Sequence, residues 1–330
     1  MTATFRILVL GLGGTIAMSQ NQPGEHASPA AQPDASMFPI PGIDLEFREI
    51  ANVGSPSVTF AHVREVLRVA REGSDAGFRG IVLTHGTDTL EETAFLLNRY
   101  WNLDTPLVVT GAMRPANAPG ADGPANLHDA IVTAASEQAR GLGVLAVFDA
   151  LVHAADRVTK VSSRSIDAFD SEPSGPLALV SKDGIRAMYA LEASDCVMPT
   201  VPAELPSVPL IGTGLFDRGE ALGALVHQPE PPAGIVINGV GMGHVPEAVM
   251  PLVREARERA IQIVVATRIP EGGTSTYHYS YPGAEVDLIN SGACMAGMLS
   301  AHKARLLLQV LLAAGASREE ISGAFAGFAY

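Results

Sequence analysis

Short apolar runs alternate along this chain with longer stretches of helical spacing, and that alternation limits the folds open to it. Predicted strand segments are Arg6–Leu10, Gly80–Leu83, Pro106–Thr110 and Gly143–Phe148, followed by Val208–Ile211, Gly234–Ile237 and Gln262–Ala266. Between them Phe60, Val63, Leu67 and Ala70 share one helix face, as do Leu90, Ala94, Leu97 and Trp101. Repeated βα alternation predicts an α/β protein whose mainly parallel sheet is covered by helices on both faces. At 330 residues the chain exceeds the roughly 250–300 at which a single core stops growing, so two domains are expected. The Pro-rich, weakly periodic stretch Ser194–Pro209 marks the connection: an N-terminal α/β domain over 1–193, a linker at 194–208, and a smaller C-terminal α/β domain over 209–330. The patterns Ala301–Leu312 and Ser317–Ala326 end the chain as helices, the second opened by the capping-box spacing of Ser317 and Glu320.

Charge argues against one large class of partner. Lys and Arg number 22 against 35 Asp and Glu, a net charge of −13, and the arginines are scattered. Such a surface repels phosphate backbones, so no nucleic acid is expected. No apolar stretch is long enough to span a bilayer, so no membrane association is expected either. The two cysteines, Cys196 and Cys294, have no metal-ligand spacing, and a disulfide framework is excluded. Nothing at the N-terminus reads as a signal peptide, and the expected location is the cytoplasm.

Two segments place polar groups at the ends of buried strands, where open α/β sheets bind ligands. In Ile81-Val82-Leu83-Thr84-His85-Gly86-Thr87-Asp88-Thr89-Leu90-Glu91-Glu92 an apolar run stops at Thr84 and His85, and an Asp between threonines precedes a helix. Asp88 and Glu91 also satisfy a helix-start pattern, so an N-cap role for Asp88 competes with a ligand-binding one. In Ile7-Leu8-Val9-Leu10-Gly11-Leu12-Gly13-Gly14-Thr15-Ile16-Ala17 a lone threonine follows two glycines, which permit positive φ and close approach of a ligand. A dinucleotide fingerprint would need glycine at the sixth position counted from Gly11, and Ile16 stands there. The histidines, His244 and His278 included, lack H-E-x-x-H-type spacing, so no metal is expected.

Five motifs in order resemble the bacterial-type L-asparaginases and glutaminase-asparaginases, amidohydrolases with a threonine nucleophile. They are Gly13-Gly14-Thr15-Ile16-Ala17, Thr84-His85-Gly86-Thr87-Asp88-Thr89, Gly111-Ala112-Met113-Arg114-Pro115, Ala121-Asp122-Gly123-Pro124-Ala125-Asn126-Leu127 and Asp156-Arg157-Val158-Thr159-Lys160. The second half is anchored more weakly, by Gly239-Val240-Gly241 and Lys303-Ala304-Arg305-Leu306-Leu307-Leu308. The resemblance implies catalytic roles for Thr15 as nucleophile and for Thr87, Asp88 and Lys160. It implies substrate contacts from Gly14, Ser55, Thr87, Asp88 and Ala112, with Asp88 on the α-ammonium and Ser55 on the α-carboxylate. Lys160 alone would read as a solvated lysine; beside the second threonine and the aspartate it becomes a base or a stabilising charge. His85 is expected to pack behind the strand end, and Asp122 and Asn126 to order a loop and a helix start.

The pattern breaks at three places. Pro56 follows Ser55 where relatives carry a polar residue, and removes an N–H donor. His244 stands where relatives carry Asn or Ser. The family's lid tyrosine is missing: the loop at about Gln22–Pro41 is a candidate lid, but the first tyrosine of the chain is Tyr100. Tyr277, Tyr279 and Tyr281 are therefore candidates for nucleophile support, in their own or a partner subunit, near a glutamate position that Glu285 approximates. The competing expectation is that they pack their loop.

The reaction implied is hydrolysis of L-asparagine to L-aspartate and ammonia through an acyl-enzyme, without a cofactor. The alternatives are a glutaminase-asparaginase acting also on L-glutamine, another small-amide hydrolase, or a non-catalytic amino-acid-binding relative. The resemblance further implies a homo-oligomer, dimer or tetramer.

Overall fold

The computed structural model describes residues 4–19, 28–29, 40–171, 173–182, 184–189 and 198–329. They divide into two compact units, Met1–Val201 and Pro202–Tyr330. Most of the expected lid loop, Cys196 and the first part of the expected linker lie outside the described residues.

The first unit is built on β1 (Phe5–Gly13), β2 (Ile43–Val53), α1 (Phe60–Asp75), β3 (Gly80–Thr84), α2 (Leu90–Tyr100), β4 (Leu107–Thr110) and α3 (Gly123–Ala135). It continues through β5 (Val144–Phe148), β6 (Leu151–Ala154), β7 (Ala178–Ser181) and β8 (Gly184–Ala187). The sheet order is β8-β7-β6-β5-β4-β3-β1-β2. From β2 to β5 every pairing is parallel, whereas β6, β7 and β8 join antiparallel at one edge. The expected parallel strands thus form, while the edge strand β2 and the antiparallel strands were not expected. β2 shows why: as an edge strand it is largely half-exposed and carries charges at Asp44, Glu46, Arg48 and Glu49, so it has no apolar run to read.

Side-chain alternation explains the two helical layers. Ile7, Val9, Val82 and Val108 point to the face covered by α3, whose Leu127, Ala130, Ile131 and Ala134 are fully buried against them. Leu8 and Ile81 point to the other face, where Gly73 of α1 lies so close that an added Cβ would sit 2.8 Å from Leu8 and 3.1 Å from Ile81. Each fully buried aliphatic side chain of this kind contributes about 1.5–3 kcal/mol.

α2 is buried nearly all round over its second half, and the reason bears on the site. Asp156 accepts hydrogen bonds from Asn98 and from the fully buried Arg99, near the end of α2. Four residues later the Lys160 amide donates to Glu91 Oε2 at 2.5 Å, in the first turn of α2. The Asp156–Lys160 segment therefore runs back along the helix and is pinned at both ends. It closes as a short antiparallel pair, Thr159–Lys160 with Phe169–Asp170.

The second unit contains β9 (Leu210–Gly212), α4 (Glu220–Val226), β10 (Gly234–Gly239), α5 (Met250–Glu258), β11 (Gln262–Thr267), α6 (Glu285–Asn290), β12 (Cys294–Met295), α7 (Ala301–Ala313) and α8 (Arg318–Ala326). Its four strands are parallel in the order β9-β10-β11-β12. Ile235, Ile237, Ile263 and Val265 pack with α4 and α5, and Gly234 admits Leu308 of α7. Ser317 and Glu320 form the expected capping box at the start of α8. Cys294 is a buried free thiol, pushed up by burial from its ordinary range.

Asp156→Ala should lower the unfolding free energy by about 3–5 kcal/mol, because it removes a carboxylate that pairs with a buried guanidinium. Urea titration of the variant against wild type measures this.

Candidate active site

Four neighbouring parallel strands deliver the expected site residues at their carboxyl ends. Ser55 follows β2, Thr15 follows β1, Thr87 and Asp88 follow β3, and Ala112 follows β4. That is the edge at which an open α/β sheet takes up small ligands.

The glycines set the spacing. Gly13 and Gly14 have φ of +94° and +86°, which lets the chain turn out of β1 directly into the short turn Thr15–Ala17. A Cβ on Gly14 would lie 2.3 Å from the Gly86 backbone, and one on Gly86 would lie 2.8 Å from Ser55 Cβ. The loops after β1 and β3 are thus packed backbone to backbone, with the Ser55 side chain against Gly86. Thr15 is half-buried at this junction, and Ser55 and Thr87 are buried. Thr89 Oγ1 donates to the Ser55 carbonyl at 2.8 Å, fixing the turn that holds Ser55. Pro56 lies exposed in that turn and points no donor inward.

Lys160 closes the group. Its Nζ donates to Thr87 Oγ1 at 2.8 Å and to Asp88 Oδ1 at 2.9 Å. The lysine side chain is mostly buried whereas that of Asp88 is about two-thirds exposed. The helix-capping alternative for Asp88 does not hold: the cap position of α2 is Thr89, and the Asp88 carboxylate serves Lys160 instead. The sequence reading missed Glu91 as the acceptor that seats the Lys160 backbone; its place in a helix-start pattern was the only signal it carried.

Behind these residues a second set of bonds fixes the loop after β4. Asp122 accepts from the amides of Met113 at 2.8 Å and Arg114 at 2.9 Å. Asn126 donates to the Gly111 carbonyl and accepts from the Asp149 amide, each at 3.0 Å. Ala112 is fully buried within that loop. His85 is also fully buried, with Nδ1 bonded to the Gly86 carbonyl at 2.7 Å, so it stands behind the strand end as a packing residue. Burial lowers its pKa to about 4, with the Gly86 bond opposing.

Tyr277, Tyr279 and Tyr281 belong to the second unit and are all exposed. Their segment is organised by Glu285, whose Oε1 accepts from the amides of His278 at 2.6 Å and Tyr279 at 2.7 Å. Burial pushes the Glu285 carboxyl up, but these amides, its own amide and His244 together bring it below the usual range. Among the described residues no group of three His, Cys, Asp or Glu side chains is arranged to hold a metal ion.

Fold and strand-end geometry together define a two-unit α/β protein with a group of polar side chains at the carboxyl ends of the parallel strands in its first unit. A family model described as "Asparaginase, N-terminal" matches residues 6–192, and one described as "Glutaminase/Asparaginase C-terminal domain" matches residues 211–325. The chain is 34% identical to a "Probable L-asparaginase" of Deinococcus radiodurans over 97% of each chain. It is 33% identical to an "L-asparaginase" of Bacillus licheniformis, covering 93% of this chain and 95% of the relative. A "Glutaminase-asparaginase" of Pseudomonas fluorescens biotype A is 31% identical, over 98% of this chain and 91% of that one. The crystal structure of a "Probable Cytoplasmic L-asparaginase" from Campylobacter jejuni superposes with a TM-score of 0.80 at 28% identity, over 98% and 99% of the two chains. The chain belongs to the asparaginase and glutaminase family.

Two predictions come from this packing. Gly14→Ala should cost about 1–3 kcal/mol from the left-handed backbone alone, and the contact with Gly86 should add to it; thermal unfolding reads the loss. His85 stays neutral when folded down to about pH 4 but protonates near 6.5 when unfolded. Stability should therefore be full above pH 6.5 and fall as pH drops toward 4, by about 3 kcal/mol in all. His85→Gln should flatten that part of the urea-midpoint profile.

Proposed function

We propose that this protein hydrolyses the side-chain amide of L-asparagine, giving L-aspartate and ammonia, with Thr15 as nucleophile. The observation that carries the reading is the Lys160 ammonium held between Thr87 Oγ1 and Asp88 Oδ1, beside the strand whose end bears Gly13-Gly14-Thr15. Family membership and relatives named L-asparaginase support it.

In this mechanism the Thr15 hydroxyl oxygen attacks the amide carbon, and its proton is passed on to the leaving nitrogen, which departs as ammonia. A β-acyl ester on Thr15 remains. A water held near Thr87 attacks the ester carbon, the ester C–O bond breaks, and the proton returns to Thr15. Two easier displacements replace one difficult one. Lys160 and Asp88 organise proton movement around Thr87. Backbone N–H groups near Thr15 and Ala112 stabilise the oxyanion, an effect of about 3–4 kcal/mol per donor. Asp88, largely open to solvent, takes the α-ammonium; Ser55 takes the α-carboxylate; Gly14 contributes backbone.

L-Glutamine is the second substrate to test, since the Pseudomonas fluorescens relative is named for both amides. One methylene is worth about 1–3 kcal/mol of discrimination. The reading also includes a homo-oligomer, dimer or tetramer, and a cytoplasmic location. Light scattering with the purified chain tests the first, and fractionation of cells expressing it tests the second.

Ammonia release from asparagine, glutamine and a panel of small amides is the deciding measurement. Thr15→Ala should lower kcat on asparagine by at least about three orders of magnitude. Lys160→Met should lower it by about 10²–10⁴. Silence of the wild type on every amide would leave an amino-acid-binding protein instead.

A further inference from the structure

Outside the strand-end group, the second unit contains a hydrogen-bonded chain that runs from solvent to a buried charge. Tyr281 Oη lies 2.7 Å from His244 Nδ1, and His244 Nε2 lies 2.8 Å from Glu285 Oε2. The Glu285 side chain is fully buried and that of His244 is 12% exposed, whereas Tyr281 is half exposed. The rings of Tyr279 and Tyr281 both meet the imidazole edge to face, at 5.7 and 5.5 Å, and cover it.

The backbone holds these groups in place. Val240 and His244 exchange hydrogen bonds of 2.9 and 2.8 Å across a tight turn after β10. The Val245 amide donates to the Gly283 carbonyl at 2.9 Å, and a Cβ on Gly283 would sit 2.1 Å from the Val245 carbonyl oxygen. The turn bearing His244 and the segment bearing Tyr281 are thereby locked side by side.

Chemistry then assigns the protons. Glu285 Oε1 already accepts two amides, and an ionised carboxylate offers no donor, so Oε2 must receive the Nε2–H of His244. That leaves Nδ1 with its lone pair toward Tyr281, whose phenol donates to it. Hydroxyl, imidazole and buried carboxylate in this order form the arrangement by which an oxygen nucleophile is handed a base and the base is oriented by an anion.

We propose that Tyr281, His244 and Glu285 form a proton relay in which the Tyr281 phenol is the reactive hydroxyl toward small acyl groups. His244 receives its proton, and Glu285 is the positioning residue that sets the tautomer. With an acyl donor such as N-acetylimidazole, the phenol oxygen bonds to the acetyl carbon and the carbon–nitrogen bond to imidazole breaks. The phenol proton passes to His244 Nδ1 and leaves on the departing imidazole.

Acetylation of the intact protein with N-acetylimidazole, followed by peptide mass spectrometry, tests the relay without reference to amide hydrolysis. Tyr281 should be acetylated at least about tenfold faster than Tyr277, although Tyr277 is 76% exposed and Tyr281 51%. Glu285→Gln provides the sharper contrast. Its oxygen can keep the amides of His278 and Tyr279, which turns its NH₂ toward Nε2 and forces the His244 proton onto Nδ1. Packing is retained but the phenol loses its base, so the Tyr281 rate should fall to that of Tyr277. Equal rates for the two tyrosines in the wild type, or an unaltered Tyr281 rate in a folded Glu285→Gln protein, would overturn the relay. Should the wild type release no ammonia from any amide, the functional reading fails while the acetylation contrast still decides the relay.

Discussion

The contact between Gly14 and Gly86 leaves no room for a side chain, and the rest of the first unit's site is arranged around it. Two adjacent parallel strands normally end with loops that diverge, because side chains keep them apart. Here a Cβ on Gly14 would collide with the Gly86 backbone and one on Gly86 with the Ser55 side chain, so the chains approach to a distance that only glycine permits. Thr15 and Thr87 are consequently delivered from different strands into one junction, with Ser55 against its third side. The packing also explains the burial of His85. Its ring is fully buried and ties its Nδ1 to the Gly86 carbonyl, so its charged form is disfavoured.

Electrostatically the junction carries one cation, held by two neighbours of unequal character. Thr87 is buried and neutral, Asp88 exposed and charged, and the Lys160 ammonium spans them. A lysine in that setting can donate to a hydroxyl while remaining compensated by a carboxylate whose outer surface still meets solvent. An ion pair with one partner this exposed contributes little stability by itself. The net charge of −13 places the same cation in a predominantly acidic protein.

Much of this was legible in the sequence because apolar runs and strand-end polar residues are local signals. β1, β3, β4, β5, β10 and β11 all lie where continuous apolar runs predicted them, and the Ser317–Glu320 box begins α8. The edge strand β2 was not legible, since a half-exposed strand with alternating charge leaves no apolar run. Nor were the partnerships of Glu91 and Asp156, which are 69 and 57 residues from Lys160 and Arg99 respectively, and which periodicity cannot reveal. Asp88 shows the limit from the other side: its spacing to Glu91 fits a helix cap, yet tertiary contact with Lys160 overrides the local preference. The tyrosine segment stood out because the lid tyrosine is missing and three tyrosines cluster here, and the fold joins one of the three rings, Tyr281, to His244.

The pinning of Asp156–Lys160 along α2 makes that helix a ruler. From Glu91 to Arg99 is eight residues, about 12 Å of helical rise, and the two pins of the segment sit at the ends of that interval. The Lys160 backbone is thus seated against turns of helix as well as against the sheet. Removing one residue from α2 would shorten the scale by about 1.5 Å and rotate its markings by about 100°, carrying Glu91 off the strip that the segment follows. Helix and segment can therefore change length only in step, and insertions in this part of the chain are confined to the loops beyond the two pins.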